Sequence, residues 1–199
     1  MNWTSLIALL PFATVMSITP GPNNLMCAAS GVNFGFRRTV PHMLGVALGF
    51  PAMLVGVGFG LEALIKSNPL LGDLLKYGGC LYLLFLAYKL ATAAKPEADG
   101  AAAQPVSFLQ AVLFQWVNPK AWVMAVSSMS IFAGVSADHS AQVMVMSVIL
   151  GLLGLVAVII WTSFGTMIAR KLDSPRALQT FNLVMAGSLI ASLVPVFLH

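Results

Sequence analysis

The sequence predicts an all-α, polytopic membrane protein with six transmembrane helices in two inverted three-helix halves, the first helix of each half being interrupted. Three observations support this fold class. The chain of 199 residues is 59% apolar and only 8% charged, whereas about a quarter of the residues in a soluble domain are charged. Apolar runs of roughly 18 residues or more, long enough to cross a bilayer, recur along the whole chain. Helix-breaking residues stand inside two of these runs, about half a chain apart.

Six helices are predicted, separated by short links and one longer linker. Their approximate ranges are Thr4–Val32, Val40–Leu64, Leu70–Thr92, Phe108–Phe132, Ala141–Ile168 and Leu178–Phe197. The polar stretch at residues 95–105 contains prolines, a glycine and acidic residues, and is the expected linker between the halves. The half-repeats then cover residues 1–94 and 106–199, within a single transmembrane domain that fills residues 1–199.

Basic residues are distributed unevenly over the predicted links. One side holds Arg37, Arg38, Lys89, Lys95, Arg170, Lys171 and Arg176, and the other holds Lys66 and Lys76. Because loops rich in Lys and Arg stay in the cytoplasm, we expect the linker inside and both termini outside the cytoplasm. Three helices per half then require the two halves to have opposite orientations.

The segment Pro20–Asn24, with the sequence Pro-Gly-Pro-Asn-Asn, interrupts the first predicted helix. Each proline lacks a backbone N–H and clashes with the carbonyl four residues earlier, so the carbonyls of Met16 and Ile18 should be freed. Lipid offers no partner for such groups. A broken helix at this depth is therefore expected only where it is buried in protein or lines a polar cavity.

A second interruption, Asn118, Pro119 and Lys120, lies in the fourth predicted helix, and Pro119 follows Pro20 by 99 residues. Gln115 precedes Pro119 by four residues, so its carbonyl is expected to be unpaired. Lys120 lies about 18 Å into its helix at about 1.5 Å per residue. A charge at that depth is costly and indicates function by default. The alternative is that Lys120 reaches the membrane surface or caps the broken end of its own helix.

Paired interruptions at equivalent places in two inverted halves indicate the substrate site of a secondary transporter. A break exposes a helix N-terminus, which suits a carboxylate, and carbonyl groups, which suit an ammonium group or a coupling cation. A zwitterion such as an amino acid fits both ends. The predicted substrate-binding residues are Pro20, Gly21, Pro22, Asn23, Asn24, Asn118, Pro119 and Lys120. The asparagines could instead serve only to satisfy the freed backbone groups.

Several other kinds of chemistry find no support in the sequence. The six acidic residues fall in loops or at helix ends, which disfavours a carboxylate proton relay. His42, near the predicted start of the second helix, could carry protons, but a histidine at the membrane surface is more commonly a simple polar contact. No nucleotide-binding loop, metal-ligand spacing, nucleophile–base set or basic patch occurs. We therefore predict no enzyme activity, no cofactor and no nucleic-acid partner.

Three motifs resemble those of the LysE/RhtB family of amino-acid exporters. They are Thr19–Asn24, Gly35–Arg37 and Val117–Ala121, and the similarity extends over the whole chain in length, number of spans and motif order. The double asparagine and the Gly-Phe-Arg link are most similar to the cysteine/O-acetylserine exporter branch. The resemblance implies export of amino acids or related metabolites across the bacterial inner membrane, driven by an ion gradient, with the proton as the expected ion.

Two other functions stay open at this point. The wider superfamily includes thiol–disulfide electron carriers with a cysteine in the first helix of each half, and Cys27 fits this pattern whereas Cys80 falls in the third predicted helix. Paired Asn-Pro half-helices also line some passive channels, although Lys120 would obstruct the passage of cations. The sequence also leaves the substrate and the oligomeric state, including a homo-oligomer, undecided.

Overall fold

The computed structural model describes residues 3–93, 104–132, 139–172, 174–194 and 197, and all regular structure in these ranges is helical. The elements are α1 (Trp3–Ile18), α2 (Pro22–Phe34), α3 (Phe36–Gly56), a π-helical turn (Val57–Leu61), α4 (Glu62–Ser67), α5 (Pro69–Ala91), α6 (Phe108–Gln115), α7 (Pro119–Phe132), α8 (His139–Ala169) and α9 (Pro175–Ala191). Residues 95–103 of the predicted linker, and residues 134–138 between the fourth and fifth predicted helices, lie outside the described residues.

Both predicted interruptions are confirmed. The first separates α1 from α2 at residues 19–21, and the second separates α6 from α7 at residues 116–118. Pro22 opens α2 and Pro119 opens α7. A proline at the first position of a helix costs little, because the N–H that it lacks would have no partner inside the helix.

The prediction that the first helix ends at Val32 and the second begins at Val40 is wrong. Only Gly35 separates α2 from α3, and its φ of 80° lies in a region that favours glycine. The chain therefore turns at one residue, and α3 begins at Phe36 instead of Val40. His42 accordingly lies inside α3 and not near its first residue.

The remaining helix ends differ less from the prediction. The ends of α5 and α8 agree with the third and fifth predicted helices to within two residues. The helix α9 ends at Ala191, a turn follows at residues 192–193, and residues 194 and 197 are helical again.

Glycines in α3 have two different structural roles. A Cβ on Gly49 would lie 2.8 Å from the Cα of Val112, and one on Gly45 would lie 2.6 Å from the Cβ of Ala111, so these glycines allow α3 to pack closely on α6. Gly60 has the same spacing from Gly56, but a Cβ there would meet nothing within 4 Å. Its φ of 102° instead permits the kink between α3 and α4.

The packing pattern places the two interruptions close together. The main contacts join α2 and α3 to α8, α3 to α6, and α5 to α9, while α1 packs on α7 and α8. The α2–α8 contact is close, since a Cβ on Gly31 would overlap the backbone of Thr162. Each broken helix thus packs against the long, second helix of the other predicted half.

Among the described residues, three helical segments are long and apolar enough to cross a membrane, namely Phe36–Leu61, Leu70–Ala91 and His139–Ala169. Large apolar side chains cover their outer faces: Leu48, Leu81 and Leu152 are each at least 60% exposed. Such surfaces require a lipid environment. The protein is therefore a helical membrane protein, and the arrangement of six spans in inverted halves stays a prediction.

Candidate functional site

The break between α1 and α2 is satisfied in part by its own side chains. The Thr19 hydroxyl donates to the carbonyl oxygen of Met16 over 3.0 Å. The Asn24 amide donates to the carbonyls of Ser17 over 2.7 Å and Thr19 over 2.9 Å. The Asn24 side chain therefore satisfies two carbonyls left open where α1 ends, as the structural alternative for this residue predicted.

Two further donors reach the same break from the second half of the chain. The Lys120 Nζ donates to the carbonyl oxygen of Thr19 over 2.8 Å and lies 2.9 Å from its hydroxyl and 3.4 Å from the Pro20 carbonyl. The indole of Trp161 donates to the Ile18 carbonyl over 3.0 Å. The alternative that Lys120 caps its own broken helix is therefore wrong, because it caps α1, whose C-terminal partial charge attracts a cation.

The second break is satisfied almost entirely by nearby residues. The Asn118 side-chain oxygen accepts the N–H of Lys120 over 3.2 Å, and the Trp122 indole donates to the Trp116 carbonyl over 2.8 Å. The expectation that the Gln115 carbonyl is unpaired is wrong, since it accepts the N–H of Asn118 over 3.3 Å. The turn tightens to bonds between residues three apart, which replace the bond that Pro119 cannot make.

A reciprocal amide pair joins the two breaks. The Asn23 amide donates to the Gln115 side-chain oxygen over 2.9 Å, and the Gln115 amide donates back over 3.2 Å. Gln115 also donates to the carbonyl of Ala111 over 2.8 Å and is fully buried. Together with the bond from Lys120 to Thr19, this pair makes the two interruptions one structural unit.

A cavity of about 50 Å³ lies between the interruptions. Its polar lining comes from Ser17, Gly21, Asn23, Asn24, Asn118 and Lys120, and α3, α7 and α8 supply apolar residues. The helix α2 begins at this cavity without a side-chain cap, and the buried Ser17 hydroxyl has no hydrogen-bond partner in the part of the chain that the structure describes. At about 10–15 Å³ per water, the volume holds about four water molecules, so an amino acid does not fit in this state.

A second, larger cleft of about 630 Å³ lies on the other side of the breaks. The three predicted prolines, Pro20, Pro22 and Pro119, line this cleft and not the small cavity. Gly21 and Lys120 line both, and a Cβ on Gly21 would lie 2.5 Å from the Lys120 Cδ. The Lys120 side chain packed on Gly21 therefore forms part of the wall between the two spaces.

The two cysteines are buried and free, and they belong to separate apolar clusters. Cys80 lines the large cleft, whereas the Cys27 sulfur lies 3.8 Å from the Nε2 of His42. His42 has no exposed surface, so it is a buried side chain and not an exposed polar one. The structure does not bring the two cysteines together as a redox pair would require.

Comparison with known proteins identifies the family. Residues 14–199 match the family model described as LysE type translocator. The chain belongs to this family. The resemblance carried by the Thr19–Asn24 and Val117–Ala121 motifs is thereby confirmed.

Individual relatives of this LysE type translocator match over the full length. Proteins named cysteine/O-acetylserine efflux protein, from Escherichia coli strain K12 and Shigella sonnei strain Ss046, are each 30% identical, covering 99% of this chain and 100% of their own. A relative of the same name from Escherichia coli O1:K1 is 29% identical with the same coverage. No solved structure matches the chain.

Proposed function

We propose that the chain is a secondary transporter that exports amino acids or close derivatives across the bacterial inner membrane. The observation that carries this proposal is the uncapped N-terminus of α2, which faces a small cavity that contains polar side chains beside the carbonyl end of α1. One helix end suits a carboxylate and the other suits an ammonium group. The names of the relatives make cysteine and O-acetylserine the first substrates to test.

The substrate carboxylate is proposed to bind at the N-terminus of α2, beside Asn23 and the unpartnered Ser17 hydroxyl. The start of α7 is less suited to this role, because the Asn118 side chain already caps it. The substrate ammonium is proposed to bind the carbonyls of Thr19 and Pro20. Lys120 occupies these carbonyls here, so it holds the place of the ammonium and moves toward the carboxylate when substrate binds.

Transport requires the cavity to grow, since about 50 Å³ is too small for an amino acid. We propose alternating access, in which the two breaks separate on one side of the cavity and then on the other. The packing supports two equivalent halves. The first broken helix packs on α8, the long helix of the second half, and α6 of the second broken helix packs in the same way on α3, the long helix of the first half. The α3–α8 and α5–α9 contacts then each join equivalent helices.

The proposed topology follows the sequence prediction. Six spans form one domain of two inverted halves, residues 1–94 and 106–199, joined by a cytoplasmic linker at residues 95–105. Both termini lie outside the cytoplasm, as the distribution of basic residues predicts. An ion gradient, with the proton as the ion, drives export.

Transport by the purified full-length protein in liposomes tests the proposal. A panel of labelled amino acids that includes cysteine and O-acetylserine is measured with and without an imposed proton gradient. Saturable movement that depends on the gradient is expected for one or a few members of the panel. Movement that neither saturates nor responds to the gradient would instead indicate a channel. No movement of any compound by folded protein would contradict the exporter and return attention to redox chemistry.

A further inference from the structure

A line of polar side chains follows one face of α2 from the cavity toward Gly35. Its members are Asn23, Cys27, Ser30 and Asn33, whose spacing of three or four residues places them on one side of the helix. Beyond the cavity, each meets a polar partner from another helix: His42 for Cys27, Thr39 for Ser30, and Asn182 for Asn33. The line therefore consists of three successive polar pairs inside an otherwise apolar interior.

The two outer pairs are well-formed hydrogen bonds. The hydroxyl oxygens of Ser30 and Thr39 lie 2.8 Å apart. The side chains of Asn33 and Asn182 donate to each other over 2.8 and 3.1 Å. Thr39 and Asn182 have no exposed surface, and buried polar groups at membrane depth commonly mark ion pathways.

The pair nearest the cavity is different because its imidazole has no strong partner. The ring nitrogens of His42 lie 3.9 and 3.8 Å from the Cys27 sulfur, and within the described residues no oxygen or nitrogen atom bonds them. A neutral imidazole has one N–H and one free lone pair, so His42 can accept a proton without breaking a hydrogen bond. Val46, one helical turn further along α3, lines the cavity.

Few ionisable groups surround this imidazole in the part of the chain that the structure describes. The facing helix α2 presents the Cys27 thiol, and α6 has no ionisable side chain. Lys120 on α7 is bonded at the first break, and His139 lies at the far end of α8, against the Gly58 carbonyl. On α3 itself, the arginines Arg37 and Arg38 are exposed at its start.

We propose that His42 binds the coupling proton, and that the Ser30–Thr39 and Asn33–Asn182 pairs connect it to the arginine-bearing end of α3. This inference rests on the proposed function, since it assumes exchange of an amino acid for an ion. The proton adds to a ring nitrogen of His42 from the cavity and leaves along the polar line. An imidazolium one turn from the cavity repels the ammonium of the substrate in this apolar surrounding, so proton and substrate bind in turn.

The test separates gradient-driven accumulation from exchange. Wild type, His42→Gln and the matched control His139→Gln are reconstituted with labelled cysteine and O-acetylserine. Substrate accumulation driven by an imposed proton gradient requires the coupling proton, whereas exchange of internal for external substrate without a gradient does not. We expect His42→Gln to lose accumulation and to retain exchange, and His139→Gln to retain both.

Two outcomes for the variant overturn the inference. One is accumulation by His42→Gln at the wild-type rate. The other is loss of both accumulation and exchange by folded His42→Gln, which would assign the residue to substrate binding or to the fold. If wild type itself neither accumulates nor exchanges any amino acid, the proposed function fails first, and the two failures are thereby distinguished.

A measurement on wild type covers the case in which His42→Gln does not fold. Substrate is added to the purified protein in weakly buffered detergent solution with a pH-sensitive dye, from mildly acidic to neutral pH. We expect protons to be released when substrate binds, because the two occupy the site in turn. Substrate binding without proton release across this range would overturn the inference.

Discussion

The Lys120 Nζ lies 2.8 Å from the carbonyl oxygen of Thr19. A side chain from the first turn of α7, at the second break, therefore caps the C-terminal end of α1, at the first break. The Asn23–Gln115 amide pair joins the same two breaks. Because both links cross between the breaks, neither break can move without loss of hydrogen bonds at the other. This coupling is what alternating access around a shared site requires.

Replacing Lys120 by Met keeps the apolar part of the side chain and removes the ammonium. We expect transport to fall about tenfold to a hundredfold, since a hydrogen bond to a charged group contributes about 1.5–3 kcal/mol. The initial rate of substrate uptake into liposomes measures this effect. Lys76→Met is the matched control, because Lys76 lines only the large cleft. A wild-type rate in Lys120→Met would rule out the role proposed for this residue.

The Asn23–Gln115 pair should contribute a measurable coupling to stability. We expect Asn23→Ala and Gln115→Ala each to destabilise the protein, Gln115→Ala more strongly because it also loses its bond to the Ala111 carbonyl. The double variant should show a coupling of about 0.6 kcal/mol, with about 1.7 kcal/mol as an upper limit, as for other side-chain hydrogen bonds between membrane helices. Unfolding of the four proteins in detergent gives this value. Strictly additive effects would show that the pair does not link the breaks.

Local sequence was sufficient to predict where the helices break. Pro20, Pro22 and Pro119 lack backbone donors wherever they stand, so the interruptions do not depend on the rest of the fold. The carbonyls of Met16 and Ile18 were predicted to need partners for the same reason. Thr19 bonds the Met16 carbonyl and Trp161 bonds the Ile18 carbonyl. Local sequence could not predict the second partner, because Trp161 lies on a helix more than a hundred residues away.

Errors at a single turn spread to the candidate site. The sequence predicted a link between Val32 and Val40 where Gly35 alone makes the turn, and so placed His42 near the start of its helix. With α3 beginning at Phe36, His42 lies six residues further along, about 9 Å at 1.5 Å per residue, and is buried against Cys27. For Gln115, the sequence predicted an unpaired carbonyl, but this carbonyl accepts the N–H of Asn118 and the side chain forms the link to Asn23.

Replacing both cysteines by serine separates transport from thiol–disulfide chemistry. We expect the variant Cys27→Ser with Cys80→Ser to retain gradient-driven transport, because the two thiols lie in separate clusters and serine keeps a hydroxyl beside His42. A redox carrier would lose all activity without its thiols. Uptake is measured in the liposome assay, with each single variant for comparison. Loss of uptake in a folded double variant would revive the redox alternative.

Two neighbouring glycines in α5 provide a test of the packing that holds the second break in place. A Cβ on Gly79 would overlap the carbonyl group of Val117, whereas a Cβ on Gly78 meets nothing within 4 Å. We expect Gly79→Ala to destabilise the protein by about 1–3 kcal/mol, since backbone cannot move aside as a flexible side chain can. Gly78→Ala should be neutral or stabilise by up to about 1 kcal/mol, as alanine favours a helix. Thermal unfolding in detergent compares the two, and equal effects would contradict the close contact of α5 with the break that positions Lys120.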